Sequence, residues 1–319
     1  MGMTEIVKVT ISPIEKLIDA VTGAIGKAYQ PRHIRKMADA KAYEISRISE
    51  ELRNNSDLPI VYSGGEANID TSDFNGILER TGFRLAYQEL LKQENIETIL
   101  DRAYEELEGK VLTSEEPISK DWMNRFVAHA GEISDKDMQI IWGKVLAGEV
   151  VAPKSFSLRT LETLTNMSPD EANLFARIVQ FVVQGSFLLN DDEFNKKYGV
   201  YYSDVLKLEE IGLLNSNGLI IKKIIIGKNP IPIIDFYNYV LIGYCIEKDN
   251  DQLSIMEFPL TRTGRELYSI IEKKNKSIEF IKDVAKCIKK QSNGFHITLH
   301  KVVSRIDGRI QYDLQEIDF

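Results

Sequence analysis

Cysteine is almost missing from this sequence. Only Cys245 and Cys287 occur, far apart and without metal-ligand spacing, which excludes a disulfide framework and a thiolate cluster. Two reduced, buried thiols in a cytosolic chain are the expectation. Histidine is scarce as well. The four present stand singly, so acid–base chemistry would fall to carboxylates or tyrosines. No apolar run reaches the ~18 residues that cross a bilayer, and no charged segment precedes a long apolar core in the manner of a secretory signal. A Gly-x-Ser-x-Gly elbow, a His-Glu-x-x-His pair, a Walker loop, a Cys-x-x-Cys pair and a dinucleotide glycine fingerprint are all lacking. The sequence calls for no metal and no cofactor, and it points away from an enzyme.

What is present is ample core material. The chain has 319 residues, 43% of them hydrophobic and 28% charged, enough for two or three domains. A formal net charge of -8 weighs against a dedicated nucleic-acid binder, although a local basic face would be compatible with it.

The densest stretch runs from Asp121 to Asn166. The spacing of Trp122, Phe126 and Ala130 predicts a helix over 120–130. Met138, Ile141, Trp142, Val145 and Leu146 predict a second over 135–149, started by Ser134 and stopped by Gly148 with Pro153 beyond. Ser155 and Ser157 offer caps to a third short helix. Ser168 with Pro169 opens a fourth whose stripe is Ala172, Phe175, Ile178, Val179 and Val182. A compact four-helix unit follows from this spacing. Within it Glu149, Ser155, Ser157 and Arg159 form the one polar cluster worth inspecting for chemistry, with Asp121 and Glu132 as further residues able to line a cleft. The plainer reading is helix capping with an Arg–carboxylate pair that locks the turn.

The run Trp142-Gly-Lys-Val-Leu-Ala-Gly-Glu149, followed by Pro153-Lys-Ser-Phe-Ser-Leu-Arg-Thr-Leu161, resembles the hallmark of an uncharacterised bacterial family known only as a domain of unknown function. It is also similar to helical proteins of the abortive-infection alpha type. The segment Lys16 to Pro31 resembles the opening of the same family. The two matches cover roughly half the chain and carry no established chemistry, so no functional residue is transferred. The resemblance implies a bacterial cytoplasmic protein linked to defence against phage.

Toward the N-terminus, Met3 to Ile11 reads as a short strand or an arm. Ser12-Pro13 starts a helix with an apolar stripe of Ile14, Leu17, Ile18, Val21 and Ile25. Docking of that stripe on the bundle or on a second subunit is the first reading; peripheral membrane contact is the second, suggested by Gly23 and Gly26 beside an apolar face. A polar helix follows from Arg32 to Arg53. Asn54 to Asp70 reads as a linker with a turn at Gly64-Gly65. Thr71 to Glu108 predicts a long helix, broken near Gly82 or Asn95, whose acids make a solvated face rather than a carboxylate metal site.

Beyond residue 185 the composition shifts. A strand at 187–190, a helix at 191–198, a helix at 201–214 and a strand at 219–226 with a hairpin tip at Asn217-Gly218 resemble a winged helix-turn-helix. Leu206, Leu208 and Ile211 are expected to pack inward. Thr261-Arg-Thr-Gly-Arg-Glu-Leu267 resembles the closing helix of such modules. Asn229 to Pro232 reads as a loop, and strands at 237–246 and 253–260 are expected to be joined around Lys248 to Gln252. Lys196, Lys197, Lys207, Lys222 and Lys223 are the candidate nucleic-acid contacts, set against Asp204, Glu209 and Glu210 on the same candidate recognition helix. An amphipathic helix over 277–292 and a hairpin turned at Asp307-Gly308 close the chain, and their basic residues offer a surface for an acidic partner.

The expected architecture is mainly α with a C-terminal α+β part: an N-terminal helical arm (1–54), a linker (55–70), a helical bundle (71–185), and a winged-helix-like domain with a β-hairpin tail (186–319). The expected function is a non-enzymatic interaction protein that self-associates through its N-terminal helices and binds a further protein. A winged-helix DNA-binding regulator and a membrane-active effector stand as the alternatives.

Overall fold

A computed structural model describes residues 12–25, 60–63, 66–69, 77–216, 220–245, 247, 251–292, 294–306 and 308–319. The strand or arm at 3–11, the helix at 32–53 and the turns at Gly64-Gly65 and Asn217-Gly218 lie outside the described residues. The chain falls into two compact units, one ending at Leu161 and the other beginning at Glu162. That division lies inside a helix, not at the composition change near residue 185.

In the first unit, α1 spans Pro13–Ile25 and starts as its sequence demands. Ser12 Oγ accepts from the Glu15 N–H at 3.2 Å and Glu15 Oε2 accepts from the Ser12 N–H at 2.8 Å, a reciprocal cap. A two-stranded hairpin, β1 (Ile60–Ser63) and β2 (Glu66–Ile69), occupies the segment expected to be a plain linker. Next comes α2, Ile77–Leu107, which runs 31 residues without the expected break, because one glycine costs a long helix only about 1 kcal/mol. Then follow α3 (Lys120–Ala130) and α4 (Lys136–Val151). Asp135, rather than Ser134, caps α4, its carboxylate accepting from the N–H groups of Asp137 and Met138 at 3.0 Å each. The helix also passes through Gly148 to Val151 instead of stopping there.

The core of this unit is the packing of α2 on α4. Ile96, Ile99, Leu100, Ala103 and Leu107 are buried on α2, as are Met138, Trp142, Val145, Leu146 and Val150 on α4. Gly143 sets the closeness of the crossing, since a Cβ there would lie 2.5 Å from Arg102 Cβ and 3.1 Å from the Ala103 nitrogen. Rings of α3 and α4 meet beside it: Phe126 lies 5.2 Å from both Trp122 and Trp142. The α3–α4 link is held by side-chain amides. Asn95 Nδ2 donates to the Gly131 carbonyl at 2.9 Å, and Gln139 Nε2 to the Ile133 carbonyl at 2.9 Å.

The division between units falls in α5, Leu158–Asn166. The second unit continues with α6 (Pro169–Ile178), started by a capping box between Ser168 and Glu171, then a short 3-10 turn at Val179–Phe181. The order after that is β3 (Phe187–Leu189), α7 (Asp192–Lys197), α8 (Tyr202–Glu210), β4 (Ile221–Ile226), β5 (Ile231–Asp235), β6 (Tyr239–Tyr244), β7 (Asp251–Pro259), α9 (Arg262–Ile270), α10 (Ile278–Gln291), β8 (His296–Ile306) and β9 (Arg309–Tyr312). A helical N-terminal part is thus followed by a β-rich C-terminal part.

Among the described residues of the second unit two antiparallel sheets form. The three-stranded one has the order β3-β7-β4 and the four-stranded one β5-β6-β8-β9. The expected strands at 237–246 and 253–260 are present as β6 and β7 and lie in different sheets: β6 pairs with β5 and β8, while β7 pairs with β3 and β4. The stretch from Asn229 to Pro232, expected to be a loop, leads into β5, where Pro232 is tolerated because the ladder bulges between it and Ile234. The expected C-terminal hairpin is present as β8–β9. The apolar face of α10, with Phe280, Ile281, Val284 and Ile288, packs into the core shared with Leu241, Ile255 and Leu299.

Candidate functional site

Three places hold the residues that the sequence singles out. The first is the turn after α4. Glu149 is buried, 2% exposed, and its two carboxylate oxygens accept from the backbone N–H groups of Lys154 at 2.6 Å and Phe156 at 3.0 Å. Lys154 needs that support, because its φ of 72° lies in the left-handed region that a lysine seldom adopts. Phe156 is gripped from the other side as well: Trp122 Nε1 donates to its carbonyl at 2.8 Å. Its ring lies against Gly148, where a Cβ would come within 2.6 Å of Cε2. Ser155 Oγ donates to the Ala152 carbonyl at 2.5 Å, Ser157 Oγ meets Thr160 Oγ1 at 3.1 Å, and Arg159 is exposed. Trp142 is fully buried in the α2–α4 core, away from any cleft described here. Within this cluster it is Glu149 that closes the turn. Its acceptors are spent on main-chain N–H groups, a use that needs a carboxylate and a glycine at this spacing.

The second place is α1. Leu17 and Val21 are completely buried, whereas Ile14, Ile18 and Ile25 are half-buried. Lys16 goes under with them, its Nζ donating to the Ser114 carbonyl at 2.8 Å. Burial pushes its ammonium below the usual lysine range, against the opposing charges of Glu149 and Glu116. The helix packs on α3 and α4, so the candidate membrane or oligomer face is in part taken up within the unit. Beside it a cleft of about 230 Å³ is lined by Lys16, Asp19, Gly23, Glu115, Lys120 and Met123 among others. Its lining holds two lysines, Lys16 and Lys120, and two acids, Asp19 and Glu115.

The third place is the α7–α8–β4 region. Three of the candidate lysines have local partners. Lys196 lies 3.8 Å from Asp192, and Lys197 is paired with Asp283. Lys222 sits 4.6 Å over the Phe187 ring and donates to Gln184 Oε1 at 3.4 Å. Lys207 and Lys223 are exposed. On α10, Lys290 lies 3.6 Å from both Asp191 and Glu193. What α8 does turn outward was missed. Val205 and Leu208 face the core, so Leu206, two positions before Leu208, is forced out and is 45% exposed, contrary to the inward packing expected of it. Tyr202 is 56% exposed, with its ring 6.5 Å from Phe258 on β7. On the edge strand β4, Ile221 and Ile225 are exposed on one face. The Leu-x-Leu spacing in 206–208 was the available signal, since both leucines cannot face one core from one helix.

Both cysteines are buried and free, and burial with Asp191 pushes the Cys287 thiol up to about 12, which keeps it protonated and inert. His300 bridges Thr298 Oγ1 at 2.9 Å and the Asp313 carbonyl at 2.8 Å, and His296 stacks on Tyr244 at 4.9 Å. Among the described residues no group of three His, Cys, Asp or Glu side chains is placed to hold a metal ion. Among the same residues no helix is long and apolar enough to cross a membrane.

A family model described as "Protein of unknown function (DUF2806)" matches residues 79–285, well over half of the chain. No curated protein and no solved structure matches it.

Proposed function

The chain belongs to the DUF2806 family, and from that premise we propose a non-enzymatic interaction protein whose second unit is a winged-helix-like module turned to a protein partner. The order α6-β3-α7-α8-β4, followed after β5 and β6 by β7 and α9, with the sheet ordered β3-β7-β4, supports the winged-helix reading. In that arrangement α8 takes the place of the recognition helix. One observation carries the choice of partner. The outward face of α8 presents Tyr202 and Leu206, with Lys207 as its outward cation and Glu210 as an outward acid. Phosphate contact needs clustered cations, whereas exposed tyrosine and leucine are what a protein interface buries. The motif around Glu149 supports a non-enzymatic role, since its carboxylate accepts from two backbone N–H groups of a turn.

The test places a photo-crosslinking amino acid at Tyr202 in the full chain inside its host. The captured species is identified, purified and rebound in vitro. A protein whose rebinding falls at least tenfold on Leu206→Glu supports the reading. Crosslinks to nucleic acid, abolished by Lys207→Glu with Lys223→Glu, would replace it with the DNA-binding regulator. A membrane-active role requires α1 to leave the bundle, stripping Lys16 of its Ser114 bond and exposing Leu17 and Val21. The placement in phage defence rests on the sequence resemblance to abortive-infection alpha-type proteins. Plaque counts on hosts carrying the wild-type gene or Leu206→Glu test it, a tenfold loss of protection being the expected effect.

A further inference from the structure

Among the described residues β4 is an edge strand, since its sheet is ordered β3-β7-β4. Register and hydrogen bonding together fix which of its main-chain groups are left over. β4 runs antiparallel to β7, with Ile221 opposite Met256 and Ile225 opposite Gln252. Just before β4, the Ile220 carbonyl accepts from the Glu257 N–H at 3.0 Å, which makes that pair a bonded one. Bonded and non-bonded pairs alternate along an antiparallel ladder, so Lys222, Ile224 and Ile226 are the residues bonded to β7. The N–H and C=O groups of Ile221, Lys223 and Ile225 point the other way, off the sheet. β7 obeys the same alternation: Met256, opposite Ile221, turns its carbonyl to the Asn190 N–H at 3.0 Å on the β3 side.

The side chains of these three residues share one face and all are exposed, Ile225 to 63% and Ile221 to 37%. Lys223 stands between the two isoleucines. Across the ladder its face meets Ser254, flanked by Gln252 and Met256, so β7 offers it no acid. Lys222 projects to the opposite face, over the Phe187 ring. Three outward donors and three outward acceptors at every second residue match an extended chain. A second β4 centred on the first would set Lys223 against Lys223, a like-charge pair on the middle rung. An acid in that place removes the clash and supplies the missing counter-charge.

We propose that β4 takes up, antiparallel, an extended segment of a partner protein with the alternation apolar-x-acid-x-apolar. The acid lies beside Lys223 and the apolar residues beside Ile221 and Ile225. Main-chain hydrogen bonds hold the segment, and the three side chains select it. The proposal stands on β4 and not on the α8 reading, so a failure here leaves the proposed function standing and the reverse also holds.

The probe is a labelled, end-capped peptide, Thr-Val-Thr-Glu-Thr-Val-Thr, titrated with the full chain and followed by fluorescence anisotropy. Saturable binding is expected. Methylating the main-chain nitrogen of the glutamate is expected to abolish it, because in this register that N–H meets the Lys223 carbonyl. Methylating the nitrogen of either adjoining threonine is expected to leave it intact, since those N–H groups face away from β4. Neither change touches the protein, so neither acts through its folding. Lys223→Glu is expected to weaken binding about tenfold, and a lysine in place of the peptide's glutamate to restore it. Leu206→Glu is expected to bind the peptide as the wild type does. Absence of saturable binding overturns the proposal, as do equal losses from the two kinds of methylation. Loss of binding with Leu206→Glu would overturn it too, by moving the peptide to α8.

Discussion

Trp122 and Phe156 are joined by a buried hydrogen bond, the indole N–H donating to the main-chain carbonyl at 2.8 Å across 34 residues of sequence. Since the Phe156 N–H is held by Glu149 at 3.0 Å, both main-chain polar groups of one residue are satisfied by side chains from two helices. The conspicuous motif is therefore a device for fixing Phe156. Replacing Trp122 by Phe keeps the ring and leaves that carbonyl unpaired in the interior. Urea unfolding should show a loss of about 1–3 kcal/mol with an unchanged slope. A loss below the usual scatter of surface mutations would mean that water replaces the indole.

Gly148 and Gly82 both lie inside helices, yet alanine should act on them with opposite sign. At Gly148 the new methyl meets the Phe156 ring at 2.6 Å, and the Phe156 backbone that carries the ring is held by two hydrogen bonds. At Gly82 nothing lies within 4 Å. Gly148→Ala is expected to destabilise by about 1–3 kcal/mol. Gly82→Ala is expected to stabilise by about 0.5–1 kcal/mol through helix propensity and a less flexible unfolded chain. Thermal melts of the two variants beside the wild type check both directions at once.

Lys276 gives a pH signature. Its Nζ donates to the Gln180 carbonyl and sits 4.8 Å from the Phe280 ring centre, and burial, with Lys273 nearby, pushes its pKa down to about 8. The protonated form is thus disfavoured in the native state. Between pH 8 and the ordinary lysine value of about 10.5 the unfolded chain holds more protons, so stability gained from this group rises with pH in that window. The stability difference between wild type and Lys276→Met should therefore grow in favour of the wild type from pH 8 to 10.5. A difference flat with pH would show that the ammonium is hydrated in the native state.

Local signals were legible in the sequence and long-range ones were not. Ser12 and Ser168 marked their helix starts because a cap is made within three residues. The stripe of α10 was read for the same reason, its period being a property of one helix. Gly148 was taken for a stop because its packing role depends on where Phe156 folds back, which spacing does not state. Leu206 was placed inside because only the register of α8 on its neighbours decides between it and Val205. The pairing of β6 with β8, contributed from more than fifty residues onward, overrides adjacency with β7. Exposure of Tyr202, and of Tyr87 on an otherwise ordinary helix, is likewise a tertiary fact.

Whether α8 meets protein or nucleic acid is decided by fluorescence anisotropy of a labelled short duplex titrated with the full chain at low salt. Clustered phosphate contacts would give binding that weakens steeply as salt rises. With Lys196, Lys197 and Lys290 paired to acids, no saturable binding is predicted, and Lys207→Glu with Lys223→Glu should change nothing. Saturable, salt-sensitive binding that this double substitution abolishes would contradict the account and make α8 a recognition helix in the groove.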